Sequence, residues 1–303
     1  MSKKILVTGA KGFIGKNLAE RLLELGHEVT VIDDRDFRFP GESRVTLKEG
    51  IRCFDEDFFV SDVLSHESFD VVFHLAASIN VDESIKYPSE YMHNNAIGTV
   101  YVMKKVFENN PQAKFIYASS AEVYGTARSE KMDENHITDP LSPYAVSKLS
   151  AEQMCKNFAQ LYGYDITVIR NFNTFGEGQR GDFYGGVIAK FKRMAKEGKD
   201  LTVYGSGEQM RDYMHVSQAV DGYILAMNTK LPTIVNFGSG APIRIIDIAN
   251  HIAKVFNVGV VHTAPRPNEI VRLEADITRA MQYGYRMATD FWKNLDTYLQ
   301  SDL

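Results

Sequence analysis

Near its N-terminus the chain reads Lys4-Ile5-Leu6-Val7-Thr8-Gly9-Ala10-Lys11-Gly12-Phe13-Ile14-Gly15. The apolar run at its start predicts a buried strand over 4–8, and the recurring apolar residues that follow predict a helix over 13–25. Glycines between these elements permit a tight turn and let backbone N–H groups approach a pyrophosphate at the helix N-terminus. Glycine also collects in ordinary loops, so it is the strand–turn–helix context that favours a dinucleotide site.

Short apolar runs and helical patterns continue to alternate through the first half of the chain. We predict further strands at 28–32, 58–60, 71–75, 114–118 and 166–170, and helices at 89–108 and 143–162. Such alternation is typical of a parallel sheet covered by helices on both faces, with ligands beyond the carboxyl ends of the strands. The predicted fold class is therefore α/β, with a doubly wound parallel sheet.

After Asn173 the alternation of strand and helix patterns becomes irregular and glycines become frequent. We predict helices at 186–197, 217–228 and 245–256, and we assign the helix at 217–228 to the first domain. The predicted cofactor domain thus comprises 1–172 and about 210–232. A smaller α/β substrate-binding lobe would comprise about 173–209 and 233–303.

The composition of the 303 residues is ordinary for a soluble globular protein, with 44% hydrophobic and 24% charged residues. A net charge of -5 provides no basic field for nucleic acid. No apolar run approaches the ~20 residues that span a bilayer, and we see no signal peptide. The two cysteines, Cys53 and Cys155, lack metal-ligand spacing, so we predict a reduced, cytoplasmic compartment and no metal site.

Carboxylates follow the second predicted strand. Asp33 lies near the offset of ~20 residues expected for the group that binds the adenosine ribose hydroxyls. Asp34 comes next, and two carboxylates would repel a 2′-phosphate, which favours NAD over NADP as the cofactor. Asp62 and Val63, which follow the third predicted strand, are candidates for the adenine edge, although an acidic turn of no function has the same composition.

Tyr144 and Lys148 lie four residues apart, on one face of the helix predicted at 143–162. A nearby ammonium and a nicotinamide cation both favour phenolate, and tyrosine, whose ordinary pKa is about 10, then becomes a usable base. Ser120 follows the fifth predicted strand and can share a proton with Tyr144, although a helix cap is the alternative. Together with a dinucleotide site, these residues indicate alcohol–ketone chemistry on nicotinamide.

These motifs resemble those of the extended short-chain dehydrogenase/reductases that act on nucleotide sugars, over nearly the full chain. The resemblance is carried by Gly9-x-x-Gly12-x-x-Gly15, Asp33, His74-Leu75-Ala76-Ala77, Asn94-Asn95, Ser119-Ser120-Ala121, Tyr144-x-x-x-Lys148, Phe172-Asn173, Arg211-Asp212-Tyr213 and Arg266-Pro267-x-Glu269. It implies a Rossmann-type sheet, NAD as the cofactor, a nucleotide-diphosphosugar as the substrate, and a homodimer.

The resemblance also implies a role for each matching residue. Ser120, Tyr144 and Lys148 would form the catalytic triad, supported by Asn95 and joined by Glu122 in some reactions. The cofactor would be bound by Gly9, Gly12, Phe13, Ile14, Gly15, Asp33, Asp34, Asp62, Val63, Leu75, Ala76, Ala77, Ser119, Tyr144 and Lys148. The substrate would be bound by Ser120, Asn173, Val187, Arg211, Arg266 and Glu269, with the two arginines on the pyrophosphate.

Members of this family oxidise C4 of the sugar first and then diverge. A 4-epimerase returns hydride to the opposite face of the 4-keto sugar, whereas a 4,6-dehydratase eliminates water and needs a further acid and base. Dehydratases of the dTDP-glucose type place Asp-Glu after the catalytic Thr, where this chain has Ala121-Glu122. The missing aspartate argues against that type, although GDP-mannose dehydratases and UDP-glucuronate decarboxylases keep the glutamate.

The surroundings of Tyr144 favour epimerisation, because Ser142-Pro143-Tyr144-Ala145-Val146-Ser147-Lys148-Leu149 is more similar to UDP-galactose 4-epimerases than to dehydratases. Ile79 departs from that pattern, since it stands where those epimerases have a lysine. We predict a 4-epimerase of UDP-sugars, with a 4,6-dehydratase that uses Glu122 as the alternative. A non-catalytic dinucleotide sensor is the remote alternative, since such proteins usually lose the tyrosine or the lysine.

Overall fold

The glycine turn joins strand β1 (Lys4–Thr8) to helix α1 (Phe13–Glu24) in the computed structural model of the protein. The structure describes residues 1–34, 45–182, 185–265, 270–287 and 290–301. The chain divides into a first unit of Met1–Val123, Pro140–Arg170 and Val220–Val235, and a second unit of Tyr124–Asp139, Asn171–Ala219 and Asn236–Leu303. The division of function between two lobes stays a prediction.

A seven-stranded sheet underlies the first unit. Its strands are β1, β2 (Glu28–Ile32), β3 (Arg52–Phe54), β4 (Val71–His74), β5 (Lys114–Ser120), β6 (Asp165–Asn171) and β10 (Ile234–Phe237), numbered in chain order. Their order in the sheet is β10-β6-β5-β4-β1-β2-β3. Because β1 pairs in parallel with both β2 and β4, β2 with β3 and β4 with β5, the predicted α/β class with a Rossmann-type sheet is confirmed.

The central strands of this sheet are mostly apolar because both faces are covered. In β1 the side chains of Ile5, Leu6 and Val7 are all fully buried, although successive residues point to opposite faces. Leu6 belongs to a cluster that also contains Val72 of β4 and Phe115 of β5. The continuous apolar pattern that predicted β1 is therefore the signature of its central position.

The helices follow the predicted 3.6-residue pattern closely. They are α1, α2 (Val63–His66), α3 (Val81–Lys86), α4 (Pro88–Tyr91), α5 (Gly98–Asn109), α6 (Pro143–Tyr162), α7 (Val187–Lys196), α8 (Val216–Asn228), α9 (Ile245–Phe256), α10 (Thr278–Gln282) and α11 (Phe291–Gln300). Helix α6, which carries Tyr144 and Lys148, begins at an N-cap, Ser142, whose hydroxyl accepts the Ala145 N–H at 3.1 Å. It ends at Gly163, where φ is 70° and a side chain would be strained.

The prediction of a third strand at 58–60 is wrong. Residues 58–60 form a turn, and the strand that pairs with β2 is β3 instead. Phe58 turns its ring into the core, 5.8 Å from the His74 ring and edge-on to it. The apolar residues at 58–60 therefore belong to a turn that buries Phe58. Strand β3 is short and lies at the sheet edge, so its sequence has no clear pattern.

The long helix predicted at 89–108 is interrupted. Its middle, Met92–Ile97, is a π-helical segment that joins α4 to α5. Such segments widen the helix by one residue and often occur at functional sites. Here the segment contains Asn94 and Asn95, both buried.

The second unit has its own sheets and its own core. Its strands are β7 (Asn173–Phe175), β8 (Leu201–Tyr204), β9 (Met210–His215), β11 (Pro242–Arg244), β12 (Val260–Thr263) and β13 (Arg272–Leu273). Strand β9 is flanked by β11 and β13 and also pairs with β7, while β8 pairs with β12. Helices α7, α9 and α11 contribute Ile188, Ile248 and Leu295 to an apolar cluster with Phe175.

Two findings bear on the predictions from composition. Among the described residues, no helix combines the length and the apolar character that crossing a membrane requires. Cys53 is exposed, Cys155 is buried, and both are free thiols.

Candidate active site

The glycine turn after β1 is built so closely that side chains are excluded from it. Gly9 has φ of 76°, and a Cβ there would lie 2.5 Å from the Ala76 nitrogen. A Cβ on Gly15 would lie 2.2 Å from the Gly9 carbonyl oxygen. Gly12 caps α1 with no side-chain hydrogen bond, so the N-terminus of a twelve-residue helix, at Phe13 and Ile14, carries its N–H groups without a side-chain acceptor.

This geometry fits the pyrophosphate of a dinucleotide. The N-terminus of a helix favours an anion through its N–H groups and its dipole. The absence of side chains at Gly9, Gly12 and Gly15 lets the backbone approach such an anion closely.

Asp33 lies at the carboxyl end of β2, as predicted. Its carboxylate accepts the Lys11 backbone N–H at 2.7 Å, which ties the glycine turn to β2. The Lys11 ammonium pairs with Asp55, which follows β3. Asp34 is half-buried beside Asp33, so acidic groups flank this end of β2 and β3.

The other predicted cofactor residues follow β4 or begin α2. Leu75, Ala76 and Ala77 are half-buried directly after β4, and Ala76 is in close approach to Gly9. Asp62 is exposed and Val63 is buried at the start of α2. These residues therefore lie in segments that follow neighbouring strands of one sheet.

Ser120, Tyr144 and Lys148 come together in the first unit. Ser120 ends β5, and its hydroxyl is near enough to the Tyr144 phenol to lower the pKa of that phenol. Tyr144 is 8% exposed and Lys148 is 3% exposed, one turn later on α6. The Lys148 ammonium donates to the Ala118 carbonyl at 2.8 Å and lies 4.9 Å from the Tyr117 ring centroid.

The protonation of these groups differs from the prediction. Burial raises the pKa of Tyr144 to about 12, the nearby Ser120 hydroxyl opposes this rise, and the Glu122 charge adds to it. Burial also lowers the pKa of Lys148 to about 7. The predicted acidification of Tyr144 by Lys148 is thus absent among the protein's own groups, and the nicotinamide cation is the remaining source of that effect.

The side chain of Asn95 is hydrogen-bonded to other residues of the first unit. Its amide donates to the Ser147 hydroxyl and to the Ser78 carbonyl, both at 2.9 Å, and its oxygen accepts the Ser78 N–H at 2.8 Å. Ser147 in turn donates to the Tyr144 carbonyl at 2.7 Å. Asn95 therefore links the start of α6 to the segment after β4, and its supporting role in the active site stays a prediction.

Ser119 and Glu122 flank Ser120 on either side. Ser119 is buried, and its hydroxyl donates to Glu152 of α6. Glu122 lies in a short 3-10 helix, Ala121–Tyr124, and its backbone N–H donates to the Ser120 hydroxyl at 3.2 Å. Ala121, where some dehydratases carry an aspartate, is buried and apolar.

In the second unit, three predicted substrate residues line one cavity of about 530 Å³. Asn173 begins β7, Val187 begins α7, and Arg211 lies on β9. The next residue of β9, Asp212, is a fully buried carboxylate that accepts the N–H groups of Ser239 and Gly240. These bonds fix the backbone of β9 beside Arg211. The remaining substrate predictions, Arg266 and Glu269, lie outside the described residues.

The cavity has further polar walls that the motifs did not predict. Lys190 of α7, Tyr204 of β8 and Gln209 also line it. Lys190 could have been found from the sequence, because it follows Val187 by three residues on the same helix face. Tyr204 and Gln209 belong to no motif, and only the fold brings them to the cavity.

The described part of the chain contains no candidate metal site. Within these residues no group of three or more His, Cys, Asp or Glu side chains could hold a metal ion. The site instead offers a dinucleotide turn, a phenol paired with a hydroxyl, and a buried amine.

Comparison with known proteins gives a consistent result. The family model described as the NAD dependent epimerase/dehydratase family matches residues 5–238. A UDP-N-acetyl-alpha-D-glucosaminuronate decarboxylase of Bacillus cytotoxicus is 34% identical, over 83% of this chain and 80% of that protein.

Two solved structures are also similar. A UDP-N-acetylglucosamine 4-epimerase from Methanobrevibacter ruminantium M1, in complex with UDP-N-acetylmuramic acid, has a TM-score of 0.92 at 30% identity and covers 99% of this chain and 97% of its own. A UDP-glucose 4-epimerase from Thermotoga maritima, with UDP-glucose, has a TM-score of 0.91 at 26% identity and covers 98% and 97%.

Proposed function

The chain belongs to the NAD-dependent epimerase/dehydratase family, and from that premise we propose that it is a 4-epimerase of nucleotide-diphosphosugars, with a UDP-sugar as substrate. It is an enzyme that modifies nucleotide sugars, and NAD is its cofactor. The observation that carries the proposal is the proximity of the Ser120 hydroxyl to the Tyr144 phenol, with Lys148 one helical turn away. The homodimer implied by the resemblance and the cytoplasmic location predicted from the cysteines belong to the same proposal.

The proton-transfer groups suit the oxidation of a secondary alcohol. Bound NAD would supply the hydride acceptor for C4 of the sugar and, in its reduced form, the hydride donor for the return step. Tyr144 takes the proton of the C4 hydroxyl and gives it back when the ketone is reduced, while Ser120 donates a hydrogen bond to the same oxygen. The Lys148 ammonium would donate a hydrogen bond to the nicotinamide ribose, and the positive charge of the bound cofactor would favour phenolate at Tyr144.

The residue after Ser120 favours epimerisation over elimination. Elimination of water requires an acid and a base besides Tyr144, and buried, apolar Ala121 supplies neither. Two structural neighbours with nearly complete coverage are named as 4-epimerases, which supports the same reading.

Elimination is the second candidate, because one observation favours it. The charge of Glu122 acts on the Tyr144 phenol and raises its pKa, so a carboxylate lies in the neighbourhood of the proposed proton-transfer group. A 4,6-dehydratase would use Glu122 as its additional acid–base group.

The reaction products separate the two candidates. We expect proton NMR of incubations with UDP-glucose, UDP-N-acetylglucosamine and GDP-mannose to show interconversion at C4 for at least one UDP-sugar. A 4-keto-6-deoxy product would instead establish the dehydratase and overturn the epimerase.

The variant Glu122→Gln sharpens the distinction. In an epimerase we expect less than about a tenfold loss of turnover, because Glu122 only affects the pKa of Tyr144. In a dehydratase the variant would lack an acid–base group, and that loss lowers turnover by about 10²- to 10⁴-fold. Since its charge raises the pKa of Tyr144, the variant should also shift the pH profile to lower pH. Glu130→Gln, at a side chain 79% exposed, is the control.

Binding of the cofactor can be tested at Asp33. We expect Asp33→Asn to weaken NAD binding by about 10- to 100-fold, the range for hydrogen bonds to a charged group. Isothermal titration calorimetry measures the change, and Asp70→Asn, beside the opposite end of β1, is the control. Unchanged affinity in Asp33→Asn would remove Asp33 from the ribose site.

A further inference from the structure

Helix α6 carries a buried carboxylate for which the proposed reaction has no use. Glu152 lies one turn after Lys148 and is completely buried. Its two oxygens accept from the Arg170 guanidinium at 3.1 and 2.7 Å, in a bidentate ion pair with β6. The Ser119 hydroxyl of β5 donates to the same carboxylate.

Such a carboxylate is a charge that is fixed in place. Both oxygens are held by donors from two different strands, so the group cannot rotate toward another partner. A buried charge in a region of low dielectric acts strongly on its neighbours. The neighbour on the same helix face, at i−4, is Lys148.

Lys148 needs such a neighbour, because burial favours its neutral form. The Nζ atom has one hydrogen bond to a backbone carbonyl, that of Ala118. Burial lowers its pKa to about 7, and Glu152 is the largest influence that opposes this shift. The titratable and charged groups facing Lys148 are Tyr144, Glu152 and Cys155 of α6, His74 of β4, Tyr117 of β5 and, through Glu152, Arg170 of β6.

We propose that Glu152 is a positioning residue, whose carboxylate, fixed by Arg170 and Ser119, keeps Lys148 in its charged form beside Tyr144. The inference rests on the proposed function, since that function requires the Lys148 ammonium. It assigns Ser119 a second task, because this hydroxyl orients the carboxylate. A purely structural ion pair between α6 and β6 would predict no effect on Lys148.

A direct titration of Lys148 distinguishes these two roles. We would label lysine with ¹³C at Cε, whose NMR shift reports protonation of the amine, and identify Lys148 by its absence in Lys148→Met. Glu152→Gln is the first variant, but it leaves Arg170 buried without its partner and can fail to fold. The double variant Glu152→Gln/Arg170→Met removes both charges and avoids that cost.

We expect the Lys148 pKa to fall by about one unit or more in Glu152→Gln, because the carboxylate that favours its charged form is lost. The fall should be smaller in the double variant, because removal of the Arg170 cation offsets part of that loss. Glu108→Gln, an exposed residue of α5 that pairs with Lys104, should leave the titration unchanged. A Lys148 pKa that does not fall in any folded variant without the Glu152 carboxylate would show that the ion pair is structural only and would overturn the proposal.

Turnover provides a second readout that depends on pH. If the pKa falls from about 7 to about 6, the charged fraction at pH 8 falls about tenfold, and so should turnover. At pH 5.5 both forms are mostly charged, and the loss should be less than about twofold. An equal loss of turnover at both pH values would contradict a charge effect. If the wild-type protein converts no nucleotide sugar, the proposed function is overturned, and the NMR titration still decides the role of Glu152.

Discussion

Tyr144→Phe is expected to lower turnover by about 10³-fold, within the range for loss of a general acid–base group, while NAD binding changes by less than about twofold. In the proposed reaction the Tyr144 phenol is the group that exchanges the C4 proton. The ring itself is retained, so its packing against the ring of Tyr91, at 6.5 Å, persists. The loss should therefore appear in kcat rather than in cofactor binding.

The measurement is turnover of the UDP-sugar that wild type converts, with NAD affinity measured by calorimetry. Tyr162→Phe is a matched control, because Tyr162 ends the same helix and is 59% exposed. Full activity in Tyr144→Phe would remove the phenol from the reaction. A wild-type protein that binds NAD and converts no sugar would instead favour the dinucleotide sensor.

Gly15→Ala should produce the second large effect, a loss of NAD affinity of more than about tenfold together with destabilisation of about 1–3 kcal/mol, as for overpacked sites. The added Cβ would lie 2.2 Å from the Gly9 oxygen and 2.8 Å from the Ala10 Cα. Both neighbours are backbone atoms of the turn, so α1 must move away from the turn to make room. The N–H groups proposed to hold the pyrophosphate would move with it.

Thermal unfolding and calorimetry with NAD measure these two losses. Gly163→Ala is a suitable control, because nothing lies within 4 Å of its added Cβ and only the positive φ of 70° is unfavourable. We expect it to cost about 1 kcal/mol and to leave NAD affinity unchanged. Normal NAD affinity in Gly15→Ala would show that the turn does not bind the cofactor.

The elements that sequence predicted well are those with strong local signals. Helix α6 was predicted to the residue, because Ser142, Pro143 and Gly163 mark its ends through capping and backbone conformation. Strand β1 was equally clear from its apolar run. The π-helical segment at Met92–Ile97 could not be predicted, because it depends on buried amide contacts with distant residues.

The candidate site was predicted in its residue types but not in its electrostatics. The spacing of Tyr144 and Lys148 follows from helix geometry, and their proximity to Ser120 follows from sheet topology. Burial is a property of the whole fold, and it reverses the expected direction for the pKa of Tyr144. The contact of Ser119 with Glu152 was likewise hidden, because it joins residues 33 positions apart with no motif between them.

Two adjacent serines at the end of β5 serve different partners on α6: Ser119 reaches Glu152 and Ser120 reaches Tyr144. They are bracketed by Ala118 and Ala121, which have only methyl side chains. A shift of β5 by one residue in either direction would thus set a methyl group against one of the two partners. Inserting or deleting a residue in the turn at 110–113 should disable catalysis even where the protein still folds, so the alignment of one strand is as decisive for activity as the catalytic side chains.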